Sequence, residues 1–415
     1  MKTKRSIAVI DLKAFYSFVE CLDRGLDPFT TPLVVCDKER GKNTIVLSVT
    51  PYLKKHGVPS RLRIRDLPKK FNYVYAVPRM ERYIEKSSEV ISILLDFFSE
   101  EDIHVYSIDE AFIDMTSYLK YYKKNAFELV KFILDTIKER TGLFATAGIG
   151  PNFFLSKVAL DIYAKHEPSG IAVMNKEDIK TKLWPITPLS KIWGIGERME
   201  ARLNAMGLFT VEDIALSSKE YFIQQFGVMG EQLINHANGI DESYIREEYI
   251  PKDRSLSIGQ VLFKDYTKNE IPLIIREMSD DLSLRLRLEG KVANGVSLYI
   301  GYSKEGGFSR QLALNRPTNE SSILYDALMV IFDKFIQDFP IRRVGLNFHK
   351  LIPIPDYEQL NLFEDPEEAK ERRSLQKTLD EIQMRYGKNA VLRASSLFEN
   401  STIKERHSQI GGHRK

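Results

Sequence analysis

Two cysteines in 415 residues, Cys21 and Cys36, are too few for a disulfide framework or a four-ligand zinc site, so a reducing compartment is expected. Long apolar runs are missing as well, and none approaches the ~18 residues a membrane span needs. The opening MKTKRSIAVIDLKAF sets apolar residues after basic ones, but Asp11 and Lys13 interrupt it too early for a signal-peptide core. A mature cytoplasmic protein without a membrane partner is the expectation. No internal repeat and no low-complexity block appears. An excess of one charge is also lacking: 60 Lys and Arg against 57 Asp and Glu leave +3, so the chain as a whole is not a basic glue.

What is there describes a globular protein, 43% hydrophobic and 28% charged, and too long for one ordinary core. Charge is uneven locally. Residues 37–70 hold ten Lys and Arg (Lys38, Arg40, Lys42, Lys54, Lys55, Arg61, Arg63, Arg65, Lys69, Lys70) against three acids, interleaved with apolar residues. Such a stretch is either a solvated face or a polyanion contact.

Hydrophobic patterning reads as strand at 7–10, helix at 14–22, and strands at 33–36 and 44–49 joined by a turn at Gly41-Lys42. An amphipathic helix over 81–99 follows, then two strands around residue 109, a helix at 126–140, strand and turn at 146–150, and a helix at 151–165. This β–α–ββ–α–β order predicts a mixed, ferredoxin-like sheet with helices on one face. After Pro168-Ser169-Gly170 come short helical segments with glycine turns to about Asp241. A second α+β module is expected over 252–350, from strands at 292–303 and 342–351 and a helix at 320–336. Beyond 352 the chain is polar, with one helix-like stretch (Leu375, Leu379, Ile382, Tyr386) and a charged end.

The stretch VYSIDEAFID, residues 105–114, sets Asp109 and Glu110 among β-formers. A carboxylate in an apolar setting is costly unless paired or metal-bound. Asp11 ends the first strand, which is expected to neighbour this hairpin. Three carboxylates on adjoining strand ends would suit Mg²⁺, and two such ions serve in-line nucleotidyl transfer. The plainer alternative is an acidic pair in an exposed turn, against which the flanking Val105, Ile108, Phe112 and Ile113 argue.

YSIDEAF, with VIDLKAFYSFVE about a hundred residues earlier, resembles the paired signature of Y-family (translesion) DNA polymerases. The resemblance continues in order through TAGIGPNFFLSKVALD, AKHEPSGI and KIWGIGERMEARLNAMG, over roughly residues 5–350, and leans toward the UmuC/UvrX-like branch of UV-damage repair proteins. It implies a right-hand α+β multidomain polymerase. Its parts would be a palm over 1–171 with fingers inserted at about 20–75, a helix-hairpin-helix thumb over 172–243, a little finger over 252–350, and a tail over 351–415.

By this resemblance, Asp11, Asp109 and Glu110 are catalytic metal ligands for two Mg²⁺ ions, with the backbone carbonyl of Leu12 completing one shell and Ser107 supporting the hairpin. Tyr16, beside Phe15, is the expected steric gate under the sugar, where a 2′-hydroxyl would collide with its ring. Ser48, Lys54 and Lys165 match family residues that grip the triphosphate. Pro51 stands where the family has a tyrosine, which puts that contact in doubt, with Tyr52 as the nearest substitute. Lysine at position 54 offers a point charge where arginine would offer a fork.

Trp193-Gly194-Ile195-Gly196 opens a helix as one helix-hairpin-helix motif does. Gly194 and Gly196 are candidate DNA-binding residues through backbone N–H groups, with residues 226–241 as a second, degenerate copy. Arg254, Arg285, Arg287, Arg310, Arg342 and Arg343 are candidate phosphate contacts of the little finger. QLNLF, with Gln359, Leu360, Leu362 and Phe363, is similar to the pentapeptide that docks bacterial polymerases on the sliding clamp, the apolar pair as anchor. Expected partners are primer-template DNA, a dNTP and the sliding clamp. The UmuC-type likeness adds an accessory SOS protein or recombinase filament. Two other classes compete: a nucleotide cyclase, which shares the metal palm but needs neither hairpins nor clamp peptide, and an inactive polymerase relic that binds DNA or clamp.

Overall fold

The computed structural model describes residues 5–247, 251, 253–304, 306–355 and 365–415, in two compact units, Met1–Glu248 and Tyr249–Lys415. In the first unit a five-stranded sheet runs in the order Ile103–Val105, Glu110–Asp114, Ile7–Leu12, Ala145–Gly150, Ile171–Val173, antiparallel except for the last pair. Strand alternation sends Ile10 and Leu12 to one face and Ile7, Val9 and Asp11 to the other. On the first face Ile10, Leu12 and Ala111 meet Val90, Ile91 and Leu94 of the helix Met80–Leu95, which packs beside Ala126–Thr141.

Helices were expected on one face only. The structure adds a second layer: Phe153–Val158 and its π-helical continuation Ala159–Tyr163 cover part of the other face, where Phe154, Leu155 and Val158 join Ile7, Val9 and Phe112. Two glycines of TAGIG permit this. A Cβ on Gly148 would lie 2.0 Å from the Ser156 carbonyl oxygen, and one on Gly150 2.7 Å from the Ser156 nitrogen. This close approach brings side chains of residues 153–163 to the end of the sheet that carries Asp11.

A three-stranded sheet forms a separate small core between residues 33 and 76, in the order Ser48–Val49, Leu33–Val35, Val74–Ala76. The expected antiparallel pairing is present only at its end, with Val34 opposite Val49 and Val35 opposite Ser48, while Ile45 bridges Arg63 instead of extending the strand. Cys36 is buried in this core with Val46, Val49 and Leu53, and burial pushes its thiol up to about 11, as it does for Cys21. Both cysteines are apolar packing residues.

The glycine-punctuated region forms four α-helices, Glu197–Ala205, Val211–Ala215, Lys219–Phe226 and Val228–Ala237, after three shorter helical turns between Lys176 and Lys191. Gly194 has φ +89°, a conformation that favours glycine, and Gly196 caps the first of these helices. Gly230 lets the last two cross closely, since a Cβ there would stand 2.1 Å from the Phe222 carbonyl oxygen.

In the second unit a five-stranded antiparallel sheet has the order Gly307–Thr318, Lys291–Tyr302, Ile341–His349, Ser255–Tyr266, with the short strand Ile352–Pro353 also pairing Lys291–Tyr302. Helices Ile271–Leu288 and Ser321–Phe335 pack together, and their apolar residues share one core with the sheet. The polar end of the chain is not a detached tail. Arg406 and His407 both bind Asp281, at 2.9 and 2.8 Å, Arg393 binds Asp280, and Ser401 and Thr402 bind the buried Glu277. The helix foreseen around Leu375 spans Pro366–Tyr386, but Leu375 and Tyr386 are exposed. Its anchor is the buried Asp380, paired twice with Arg287 at 2.6 and 2.9 Å. Gln359, Leu360, Leu362 and Phe363 lie outside the described residues.

Candidate active site

Asp11 stands directly opposite Glu110 across adjacent antiparallel strands, so both side chains point to the same face. Asp109 is held next to them: its carbonyl accepts from the Leu12 N–H at 2.8 Å, and its carboxylate accepts from the Ser107 hydroxyl at 2.7 Å. The turn is closed by the Tyr106 and Ser107 N–H groups on the Glu110 carbonyl, at 2.9 and 3.0 Å. Ser107 thus supports the hairpin as expected. The exposed acidic turn is excluded for Glu110, which is buried.

Electrostatics at the site follow from this crowding. Burial, followed by repulsion from Asp109 and Glu110, raises the Asp11 carboxyl to about 7, against the opposing pull of Lys165 and Lys157. Burial also raises Glu110, with Lys157 opposing. Sequence reasoning missed Lys157. Its ammonium lies 2.8 Å from Glu110 and 3.2 Å from Asp161, one turn further along. For Lys157 burial acts downward, but the Glu110 hydrogen bond and the Asp161 and Glu110 charges win and raise its pKa. A signal was available: Lys157 sits among Phe154, Leu155, Val158 and Leu160, where a buried ammonium requires a carboxylate partner.

Among the described residues, no three His, Cys, Asp or Glu side chains stand ready as a metal cage. Lys157 lies against Glu110 in this arrangement. The donor set still fits a hard divalent cation. It is all oxygen, burial and then repulsion among the carboxylates lift Asp11, and the buried Oε1 of Glu110 lacks a well-directed hydrogen bond.

The remaining predicted residues gather unequally. Lys54 and Lys165 share the field of Asp11: burial in the cleft, then the Lys165 charge, lowers the Lys54 ammonium, with Asp11 and Asp109 opposing, and Lys165 lies 3.8 Å from Asp161. The Ser48 hydroxyl is buried and bonded to the Ser17 hydroxyl at 3.0 Å, so it braces the start of the helix Phe15–Leu22. Pro51 opens the helix Pro51–Lys55, and Tyr52 packs against His56 and Phe71 in the small core. Tyr52 is therefore accounted for as a packing residue.

Ala14, with φ +49°, turns the chain sharply between strand and helix, a conformation that costs about 1–3 kcal/mol outside glycine. That turn places Tyr16 on Tyr83 in a stack with centroids 4.5 Å apart, while Phe15 is buried. The Tyr83 hydroxyl donates at 2.7 Å to Glu20, a fully buried carboxylate that also accepts from Arg79 at 3.0 Å.

In the second unit the candidate arginines divide. Arg287 is spent on Asp380, Asn319 and Ser321, Arg285 donates to the Ser257 carbonyl, and Arg310 lies over Phe335. Arg342 pairs with Asp265 at 3.3 Å. Arg254 and Arg343 are exposed. Arg287 is thus a structural anchor, because a partly buried guanidinium keeps its carboxylate.

The impB/mucB/samB family pattern matches residues 10–161, its C-terminal domain 253–362, and the IMS family HHH motif 176–208. The putative UV-damage repair protein UvrX of Bacillus subtilis (strain 168) is 36% identical over 99% of this chain and 98% of that protein. The chain belongs to the Y-family DNA polymerases of the UmuC/UvrX type. This polymerase is also 33% identical, over 100% of both chains, to DNA polymerase IV 2 of the same organism. Its fold is that of the Y-family DNA polymerase chimera Dbh-Dpo4(243-245)-Dbh, with a TM-score of 0.68 at 21% identity, covering 84% of this chain and 100% of that one. The ferredoxin-like sheet is the polymerase palm, and the helix-hairpin-helix segment lies at residues 176–208.

Proposed function

We propose that this polymerase carries out template-directed translesion synthesis, joining deoxynucleotides to a DNA primer 3′-hydroxyl by two-metal nucleotidyl transfer. The observation that supports it most is Asp11 opposite Glu110, with Asp109 fixed beside them at the palm edge. Asp11, Asp109, Glu110 and the Leu12 carbonyl would hold two Mg²⁺ ions, which when bound neutralise the triphosphate and make the primer hydroxyl more acidic.

Lys54 and Lys165 meet the negative charge of the triphosphate and of the departing pyrophosphate from the side opposite the primer. Lys157 keeps Glu110 ionised and oriented within an apolar wall. Tyr16, stiffened by its stack on Tyr83, lies under the sugar and excludes a 2′-hydroxyl. The segment inserted at about 20–75 acts as the fingers, 172–243 as the thumb on the duplex, and 252–350 as the little finger, with Arg254, Arg342 and Arg343 as phosphate contacts. The 359–363 peptide ties a loosely gripping enzyme to the sliding clamp, raising its effective concentration at the primer end.

Primer extension by the full chain with Mg²⁺ and four dNTPs is the test. Asp109→Ala and Glu110→Ala should abolish extension while primer-template binding persists. Extension by the double variant would overturn the assignment. A wild-type chain that binds DNA, with or without accessory proteins, yet never extends is the relic. Cyclisation of a nucleoside triphosphate without template would mark a cyclase.

A further inference from the structure

Tyr106 lies immediately before Ser107, and its own N–H helps close the carboxylate turn. Its hydroxyl accepts from the indole N–H of Trp193 at 3.1 Å, and the two rings meet edge-on with centroids 5.9 Å apart. Trp193 is the residue before Gly194, at the turn of the helix-hairpin-helix segment. Behind it the rings continue without a break. Trp193 and His236 are parallel at 6.4 Å, and His236 stacks on Phe154 at 4.3 Å and 16°. Phe154 belongs to the helix that carries Lys157, and Phe112, two residues beyond Glu110, touches both Tyr106 and Trp193. One aromatic stack therefore links the turn bearing Asp109 and Glu110 to the Trp193 turn ahead of the helix Glu197–Ala205 and to the helix Val228–Ala237.

Packing alone does not account for the polar link. Tyr106 is 45% exposed, so water can replace the indole donor and the bond adds little to stability. Phenylalanine would fill the same space. What the hydroxyl–indole bond adds is direction, fixing the turn against the thumb.

We propose that Tyr106 and Trp193 are positioning residues that hold the carboxylate turn, residues 106–110, in register with the DNA-gripping hairpin of the thumb. This rests on the polymerase reading. When the thumb helices bear on duplex phosphates, the ring stack carries that restraint to the turn, and the carboxylates stay aimed at the primer end. Reacting groups tolerate little displacement: about 1 Å can cost about 100-fold in rate.

The test uses the full chain with Tyr106→Phe, Trp193→Phe and both together. Amide hydrogen exchange at Leu12 and Ser107, whose N–H groups bond Asp109 and Glu110, should quicken about tenfold in each variant while the melting temperature holds. In single-turnover extension the maximal rate should fall about tenfold, with the DNA Kd within about twofold of wild type. The double variant should be no slower than the slower single one, because both break one contact. Unchanged exchange at the turn, additive rate losses, or weaker DNA binding at an unchanged rate would each overturn the proposal. Should Trp193→Phe fail to fold, Tyr106→Phe, which removes one oxygen atom, decides alone. A wild-type chain without polymerase activity would sink the functional reading, while hydrogen exchange would still decide the coupling.

Discussion

Lys157 sets its ammonium 2.8 Å from one carboxylate oxygen of Glu110 and 2.9 Å from the other, and both side chains are only 8% exposed. A carboxylate expected to serve a metal is thus already neutralised by the protein. Lys157→Met should leave Glu110 buried beside Asp11 and Asp109 without its counter-charge, destabilising the fold by about 3 kcal/mol. Added Mg²⁺ should restore more stability to this variant than to wild type, because only there does the cation replace a lost partner. Calorimetry with and without Mg²⁺ checks this, and equal metal effects would show that Glu110 does not face the ion.

Sugar choice should depend on Tyr16. Removing its ring with Tyr16→Ala should raise ribonucleotide incorporation relative to deoxynucleotide by about 100-fold, equal to about 2.7 kcal/mol of differential transition-state binding. Competition between rNTP and dNTP on one template measures it. Unchanged selectivity would move the gate elsewhere, with Phe15 next in line.

Stability should fall on mild acidification through His236. Burial against Phe154 and Trp193 lowers its pKa, with the charge of Asp241 opposing. The unfolded chain, with an ordinary imidazole near 6.5, takes up the proton first. The stabilisation is present above that value and is lost as pH falls below it. Asp11, raised to about 7, works the other way over the same range, so the His236 contribution is read as the difference in slope between wild type and His236→Phe in urea denaturation from pH 7.5 to 5.5.

Arginines of the second unit should separate by salt dependence. Arg343→Ala should reduce the log–log salt slope of primer-template binding by about 0.9, the value of one phosphate contact. Arg287→Ala should leave that slope unchanged but expose the Pro366–Tyr386 helix to protease, since it removes the anchor on Asp380. A slope change with Arg287→Ala would show that it reaches DNA.

Leu362 and Phe363 should matter only when a clamp is present. Replacing both with Ala should leave synthesis on a bare primer unchanged and remove stimulation by a loaded sliding clamp, since each apolar side chain adds about 1.5–3 kcal/mol when fully buried. Equal stimulation of variant and wild type would make QLNLF a plain connecting segment.

Local sequence determined a good deal here. Short runs of apolar β-formers at Ile7–Ile10 and Ala111–Ile113 named strands, the helical patterns over 81–99 and 126–140 named helices, and carboxylates set among β-formers marked the candidate site at Asp11, Asp109 and Glu110. Those signals are legible because burial of one strand or helix face writes itself into adjacent residues. Partnerships between distant residues are not written that way. Lys157 on Glu110, Tyr83 under Tyr16, Trp193 on Tyr106, and Arg287 on Asp380 join positions 47, 67, 87 and 93 residues apart. A buried lysine or arginine announces that it needs a carboxylate, but many carboxylates would satisfy it locally. Only the packed chain, with Gly148 and Gly150 letting a helix settle on the sheet, decides which one it meets.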